Sequence, residues 1–459
     1  MKNKNPWIRM IAGMLVISSF TMCTKSTNQI EKPVNSSDLN TDAATAQTTA
    51  VAAATYTVQS ATWTIDGTAI PPGAVIYITA GQRGALLLKN IKGTAAKPIT
   101  IINKGGKVTF STTTTASYAF KTQNCQYFRI VGSGTPGITY GFNVNGGNIG
   151  MTMDDLSSDF EIANVEVHNS GFAGIMAKTD PSCDPATWRG HFTMKNVSIH
   201  DNYVHNTGGE GLYIGNSFYA EGVSTSCGTV LPHDVVNLKI CRNFLDATGA
   251  EGIQVGSAIS GCEVFNNVVK NPGVSPFEAY QNNGIQIGEG TGGKCYNNLV
   301  MGAPGNGIIV LGLGDNLLYN NLVLNSKGYG IFADSRYTPG PHFQFINNTI
   351  VASALGGIKL DSELIPMNTV INNVIIQSVT SLAIIRKSTS VKLTSLNNYI
   401  GSNVSACQFV NYSGQNFHLL SSSPLINKGA NVLAYGVSAD YYGKLRPSGA
   451  AFDIGATEY

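Results

Sequence analysis

Charge is the scarcest commodity in this 459-residue chain. Asp, Glu, Lys and Arg together make up 12% of it, against about 25% in an ordinary globular domain. With 29 basic and 27 acidic residues the formal net charge is +2, so there is no broad basic field and a nucleic-acid partner is not expected. CxxC and HxxxH spacings are missing, which excludes the common zinc sites. No run beyond the N-terminal segment is apolar and long enough to cross a bilayer. A 3.6-residue periodicity is missing too, and 51 glycines disfavour long helices. Hydrophobic residues nevertheless reach 43%, enough for a large core and too many for global disorder. An elongated β protein is what remains.

The N-terminal segment carries Lys2, Lys4 and Arg9, an apolar stretch from Met10 to Val16, and Cys23. This pattern is that of a secretory signal over residues 1–23. Cys23 resembles the acylated first residue of bacterial lipoproteins. The chain is therefore expected to be exported, either anchored at the outer membrane through that lipid or released to the periplasm or medium. Residues 24–55 are dominated by Thr, Ala, Ser and Asn and are expected to be a flexible linker. In the oxidising compartment that follows, Cys183 and Cys227 sit in two Gly/Pro/Ser-containing insertions and are the expected disulfide pair, while Cys262 and Cys295 lie in apolar runs as buried thiols.

Internal periodicity sets the architecture. A glycine followed by an apolar, a variable and an apolar residue recurs at Gly174, Gly211, Gly252, Gly284, Gly307, Gly330 and Gly357, at intervals of 37, 41, 32, 23, 23 and 27. An Asn followed by apolar residues recurs at Asn202, Asn243, Asn267, Asn298, Asn321, Asn348, Asn373 and Asn398, at intervals of 41, 24, 31, 23, 27, 25 and 25. Two signals sharing a basic period of 23 to 27 residues mean that each unit is one coil carrying both. Alternating apolar residues predict short strands whose inward side chains stack on the next coil. The Asn positions predict a ladder at a tight turn, where amides satisfy otherwise unpaired backbone groups.

The opening coils, Gly93-Thr94 then Lys97-Pro98-Ile99-Thr100-Ile101-Ile102, and the tail Asp440, Gly443, Arg446-Pro447, Asp453-Ile454-Gly455-Ala456 and Glu458 are similar to segments of exported bacterial β-helix proteins. From about residue 56 to its end the chain resembles the right-handed parallel β-helix superfamily, which includes pectate-lyase-like polysaccharide lyases and several glycoside hydrolases. The resemblance implies an all-β solenoid with insertions on its central coils, the β-helix over 56–395 and C-terminal coils and cap over 396–459. It implies no single activity, because one fold hosts many chemistries.

The extra length of the long intervals falls at about 177 to 192, 216 to 235 and 270 to 282, in three successive coils. Coils are ~4.8 Å apart, so these insertions are expected to wall a groove, the usual place for function on a rigid scaffold. Glu210 and Glu251 each precede a repeat Gly, so their carboxylates are expected in the same register, as a Ca²⁺ site or a catalytic pair. A lyase needs a base beside a uronate carboxylate and a cation or Arg to neutralise it. Lys178 and His205 are the leading candidates, with Tyr213 as acid. Arg189, Arg242, Gln254 and Gln286 are candidates for substrate contact, and His191, His233 and Lys239 stand nearby. A hydrolase would need two carboxylates, about 5 to 5.5 Å apart for retention or 6.5 to 9.5 Å for inversion. Glu210 with Glu251, or a wider pair drawing on Asp180, Glu278 or Glu289, would serve.

The expected function is a monomeric, exported, polysaccharide-active enzyme, a lyase on an acidic glycan first. A glycoside hydrolase and a non-catalytic glycan-binding or structural β-helix are the alternatives.

Overall fold

The computed structural model describes residues 53–336 and 340–459. The expected leader, its Cys23 and nearly all of the expected linker lie outside the described residues. Within them the chain winds as a parallel β-helix. Successive coils each place one strand in a 12-stranded parallel sheet and typically two in a 24-stranded sheet folded around the same core. The last strand of the stack is Tyr399–Gly401.

The glycine-led strands form the 12-stranded sheet. Ile175, Leu212, Ile253, Ile285, Ile308 and Ile331 lie in consecutive register and are fully buried, so each coil rests its apolar side chain on the one before. The glycine that opens the strand is demanded by space: a Cβ on Gly211 would stand 2.6 Å from both the Gly252 carbonyl oxygen and Leu245 Cδ2. Any larger residue would push neighbouring coils apart.

At the fold line of the larger sheet the asparagines form an unbroken ladder. Asn202 Nδ2 donates to Asn243 Oδ1, and the same bond repeats from Asn243 to Asn267, Asn298, Asn321, Asn348, Asn373 and Asn398 at 2.9 to 3.0 Å. Each Nδ2 also donates to a backbone carbonyl of the stack, such as Val264 O from Asn298. The residue before each rung, from Asp201 and Arg242 to Asn397, takes the left-handed conformation, which Asn and Asp tolerate best among non-glycine residues.

The C-terminal segment folds back along this flank. Arg446 is buried, with its Nη1 2.6 Å from Glu458 Oε1, and its Nη2 donates to Asn320 Oδ1 and Gly455 O. Cys183 and Cys227 form a disulfide with Cα atoms 5.7 Å apart, joining the first two insertions. Cys125, Cys262, Cys295 and Cys407 are buried free thiols.

Candidate active site

The structure brings Glu210 and Glu251 together. Gly174 N–H donates to Glu210 O and Gly211 N–H to Glu251 O, both at 2.9 Å, so the glutamates occupy the same place on adjacent coils. They are 1% and 0% exposed. Burial pushes each carboxyl up to about 7; for Glu251 the charge of Glu210 adds to the rise and the Asn283 amide opposes it. Asn283 Nδ2 donates to Glu251 Oε1 at 2.9 Å, while Oε2 of both glutamates is buried without a partner.

This placement corrects the catalytic and metal roles expected of the pair: a polymer cannot reach side chains with no exposed surface. Ca²⁺ takes 6–8 oxygen ligands. Glu251 is met here by an amide turned to donate, and among the described residues no three His, Cys, Asp or Glu side chains converge on a metal-sized site. The donor set does not fit the ion, and no step below uses it.

Lys178, Tyr213 and Gln254 gather above the pair, on the outward side of the glycine-led strands. Lys178 Nζ lies 2.7 Å from Asp180 Oδ1 and 4.7 Å from the centre of the Tyr213 ring. Burial works against its charge, but Tyr213 and Asp180 outweigh that and hold its pKa above the ordinary value. In this arrangement it stands as a cation beside Asp180. The Tyr213 hydroxyl and Gln254 Nε2 both meet Ser217 Oγ at 3.1 Å. Tyr213 is 8% and Gln254 2% exposed, so neither offers a surface for substrate.

Three other candidates lie elsewhere. His205 belongs to the strand Tyr203–His205 of the larger sheet, stacked on His168 and Tyr203 at 4.9 and 4.2 Å between ring centres, on a different face from Tyr213. Arg242 stands at the asparagine turn and grips Asp201 through two bonds of 2.8 and 2.6 Å. Arg189 clamps the first insertion to the second, donating to Pro232 O and Tyr219 O. His233 is also structural: its Nε2 accepts from Thr179 N–H and its Nδ1 meets Asp234 O, and burial brings its pKa down to about 4.

The open groove begins one coil further on. Gln286, half-buried, lies in register with Ile309 and then Phe332. Over this floor run two adjoining cavities of about 270 and 540 Å³, which share Tyr280, Ile309, Leu311 and Arg336 as lining. Phe218 of the second insertion and Tyr280 of the third, 56% and 87% exposed, form its near wall. Tyr329 and Lys327 line the far cavity. Arg336 Nη1 lies 3.2 Å from Glu289 Oε1, and Glu289 Oε2 is buried without a partner. Of the expected contact residues, Gln286 alone reaches this groove. The Glu289–Arg336 pair was approached in the sequence only through Glu289. The signal for Arg336 was its place just beyond a glycine-led strand, in a coil without an insertion.

Residues 233–423 match the family described as the right handed beta helix region, which gives the winding its hand. No curated protein matches the chain. Among solved structures, a pectate lyase is 15% identical, with 89% of this chain and 97% of that one covered and a TM-score of 0.47. A lacto-N-biosidase from Eubacterium ramulus is 13% identical over 75% and 67% of the two chains, with a TM-score of 0.47. A mannuronan C-5 epimerase module from Azotobacter vinelandii is 14% identical over 72% and 87%, with a TM-score of 0.39. No residue role is carried over from them.

Proposed function

We propose that this right-handed β-helix binds an acidic polysaccharide along the groove above Gln286, Ile309 and Phe332 and cleaves it by β-elimination. The observation that carries the reading is Arg336: its side chain is 48% exposed at the junction of two axial cavities, held from one side by Glu289. A planar guanidinium is the group best suited to hold a uronate carboxylate through paired hydrogen bonds. Phe332 and Tyr329 offer ring faces for the apolar sides of sugars, and Gln286 and Asn306 offer amides for hydroxyl groups. Neutralising the carboxylate acidifies the adjacent carbon, and the Tyr280 side chain in the same groove, once deprotonated, would take that proton and pass it to the departing glycosidic oxygen. The Cys183–Cys227 disulfide supports the exported location, since such bonds persist in oxidising compartments, and lipidation at Cys23 belongs to the same proposal.

The test is incubation with polygalacturonate, alginate and neutral glycans while following the absorbance of unsaturated products. Ultraviolet-absorbing product from a uronate polymer supports the reading. New reducing ends without unsaturation identify a hydrolase, and binding without either identifies a recognition protein.

A further inference from the structure

The third insertion reaches the groove by way of the two buried glutamates. Its backbone crosses the turn that leads into Glu251: the N–H groups of Gly273, Val274 and Ser275 donate to the carbonyls of Ala250, Thr248 and Gly249 at 2.8 to 3.0 Å. Phe277 packs on Phe172, 5.3 Å between ring centres, next to Gly209. At its far end Asn283 Nδ2 donates both to Glu251 Oε1, at 2.9 Å, and to Tyr280 O, at 2.8 Å. Tyr280 lines both cavities of the groove. A continuous path therefore runs from Glu251 through Asn283 to the groove wall.

The same path is part of a second ladder. Asn306 Nδ2 donates to Asn283 Oδ1, as Asn283 does to Glu251. At Glu251 the amides give way to a carboxyl, which has no hydrogen to pass to Glu210 unless it carries a proton. Both Oε2 atoms are buried and unpartnered, and two like charges on adjacent coils repel. One proton supplies the missing donor and removes one of the charges.

We propose that Glu210 and Glu251 hold a proton between them and serve as the positioning pair for Tyr280, keeping the third insertion closed at the groove's edge until that proton is lost. The charged group facing the pair is Lys178, which acts on Glu210 and is itself tied to Asp180. The insertion contributes Glu278 and Tyr280, both exposed, and the following coil contributes the neutral Asn283. Closed, the carboxyls ionise at about 7; opened to water they ionise near the ordinary 4.5. Opening therefore releases that shared proton and becomes easier as pH rises from about 4.5 to about 7, by up to about tenfold per pH unit, and levels off above that. The movement belongs to the chain itself; its effect on glycan binding rests on the groove reading above.

The experiment is amide hydrogen exchange of residues 271–283 in the full chain without glycan, from pH 4.5 to 8.5, corrected for the intrinsic pH dependence of exchange. Wild-type protection is expected to fall by about 10- to 300-fold up to pH 7 and then hold constant. Glu210→Gln supplies an amide that donates without titrating and is expected to flatten the profile to well under one proton. Glu210→Gln/Glu251→Gln is expected to show none. A flat wild-type profile overturns the proposal, as does an unchanged slope in the double variant; should a variant not fold, the wild-type profile decides alone. Binding of polygalacturonate oligomers, measured separately, tests the groove reading without bearing on this result.

Discussion

The guanidinium of Arg189 lies 3.8 Å from the centre of the Tyr219 ring, so the first insertion is stacked face-on against the second. The Cys183–Cys227 disulfide ties the same two segments across a sequence separation of 44. Restricting a loop of that length is worth about 4 kcal/mol in the chain-entropy account, and a cation over a ring adds about 0.5–2 kcal/mol. Replacing both cysteines by Ser is expected to free the insertions while the coils stay wound. Limited proteolysis should then cut within 216–235 and leave the solenoid whole; a digestion pattern identical to wild type would show that the clamp is idle.

The asparagine ladder makes a sharper demand on single residues. Asn298 donates to Val264 O and Asn321 Oδ1 and accepts the Asn267 backbone N–H and Nδ2. Asn298→Ala would leave several of these groups buried and unpaired, at a cost of about 3 kcal/mol. Asn398, the partly buried last rung, should cost about 1 kcal/mol when replaced by Ala. Urea unfolding of the two variants measures the difference, and equal losses would mean that the ladder is not what makes the interior rungs matter.

Acid and base act on opposite groups. His233 is held neutral, its pKa brought from 6.5 to about 4 by burial, so its stabilisation is full above 6.5 and is lost as pH falls toward 4. Glu210 and Glu251 are raised from 4.5 to about 7, so theirs is full below 4.5 and is lost as pH rises toward 7. Near pH 5.5 the proton shared by the two carboxyls offsets the one His233 takes up on unfolding, so the balance of these three groups is nearly flat there. The Glu210→Gln/Glu251→Gln variant should turn it into a stability that rises with pH, leaving His233 to set it. Melting temperatures between pH 4.5 and 7 report the sign directly.

The winding was legible because its cause is repeated: each coil needs a glycine where Gly211 meets Gly252 and an amide where Asn298 meets Asn321. The insertions could be located by the excess spacing they leave. Their direction could not. Met176, Tyr213 and Gln254 end up buried, the last two bonded to Ser217 of the second insertion, so the open floor moves to Gln286, Ile309 and Phe332. The face of His205 was readable in principle, since it follows Asn202 by three residues and so belongs to the strand after the ladder. Burial of Glu210 and Glu251 had no local signature, because the groups that meet them come from other coils, Asn283 at Glu251 and Lys178 at Glu210.

The tail tests what a buried ion pair contributes to this fold. Arg446 and Glu458 have no exposed side-chain surface, and the Arg also binds Asn320 at the asparagine flank. Arg446→Met alone should cost about 3–5 kcal/mol, because it strands the Glu458 charge in the interior. Adding Glu458→Leu should recover a large part of that loss. Chemical unfolding of the single and double variants gives the coupling; a double variant as unstable as the single one would place the cost in lost shape rather than in the stranded charge.

Arg336 carries the functional proposal, and its partner allows the electrostatic and steric parts to be separated. Arg336→Ala should weaken binding of polygalacturonate oligomers by about 1.5–3 kcal/mol, the range for hydrogen bonds to charged groups, and leave neutral oligosaccharides unaffected. Arg336→Lys keeps the charge without the planar fork and should recover part of the loss. Glu289→Gln removes the anion now 3.2 Å from Arg336, so a substrate carboxylate would no longer compete with it and acidic oligomers should bind more tightly. Titration calorimetry on these variants, with acidic and neutral oligomers of equal length, makes the comparison. An equal loss for both kinds of sugar in Arg336→Ala would mean that Arg336 shapes the groove without reading a carboxylate, and the acidic-glycan assignment would fall with it.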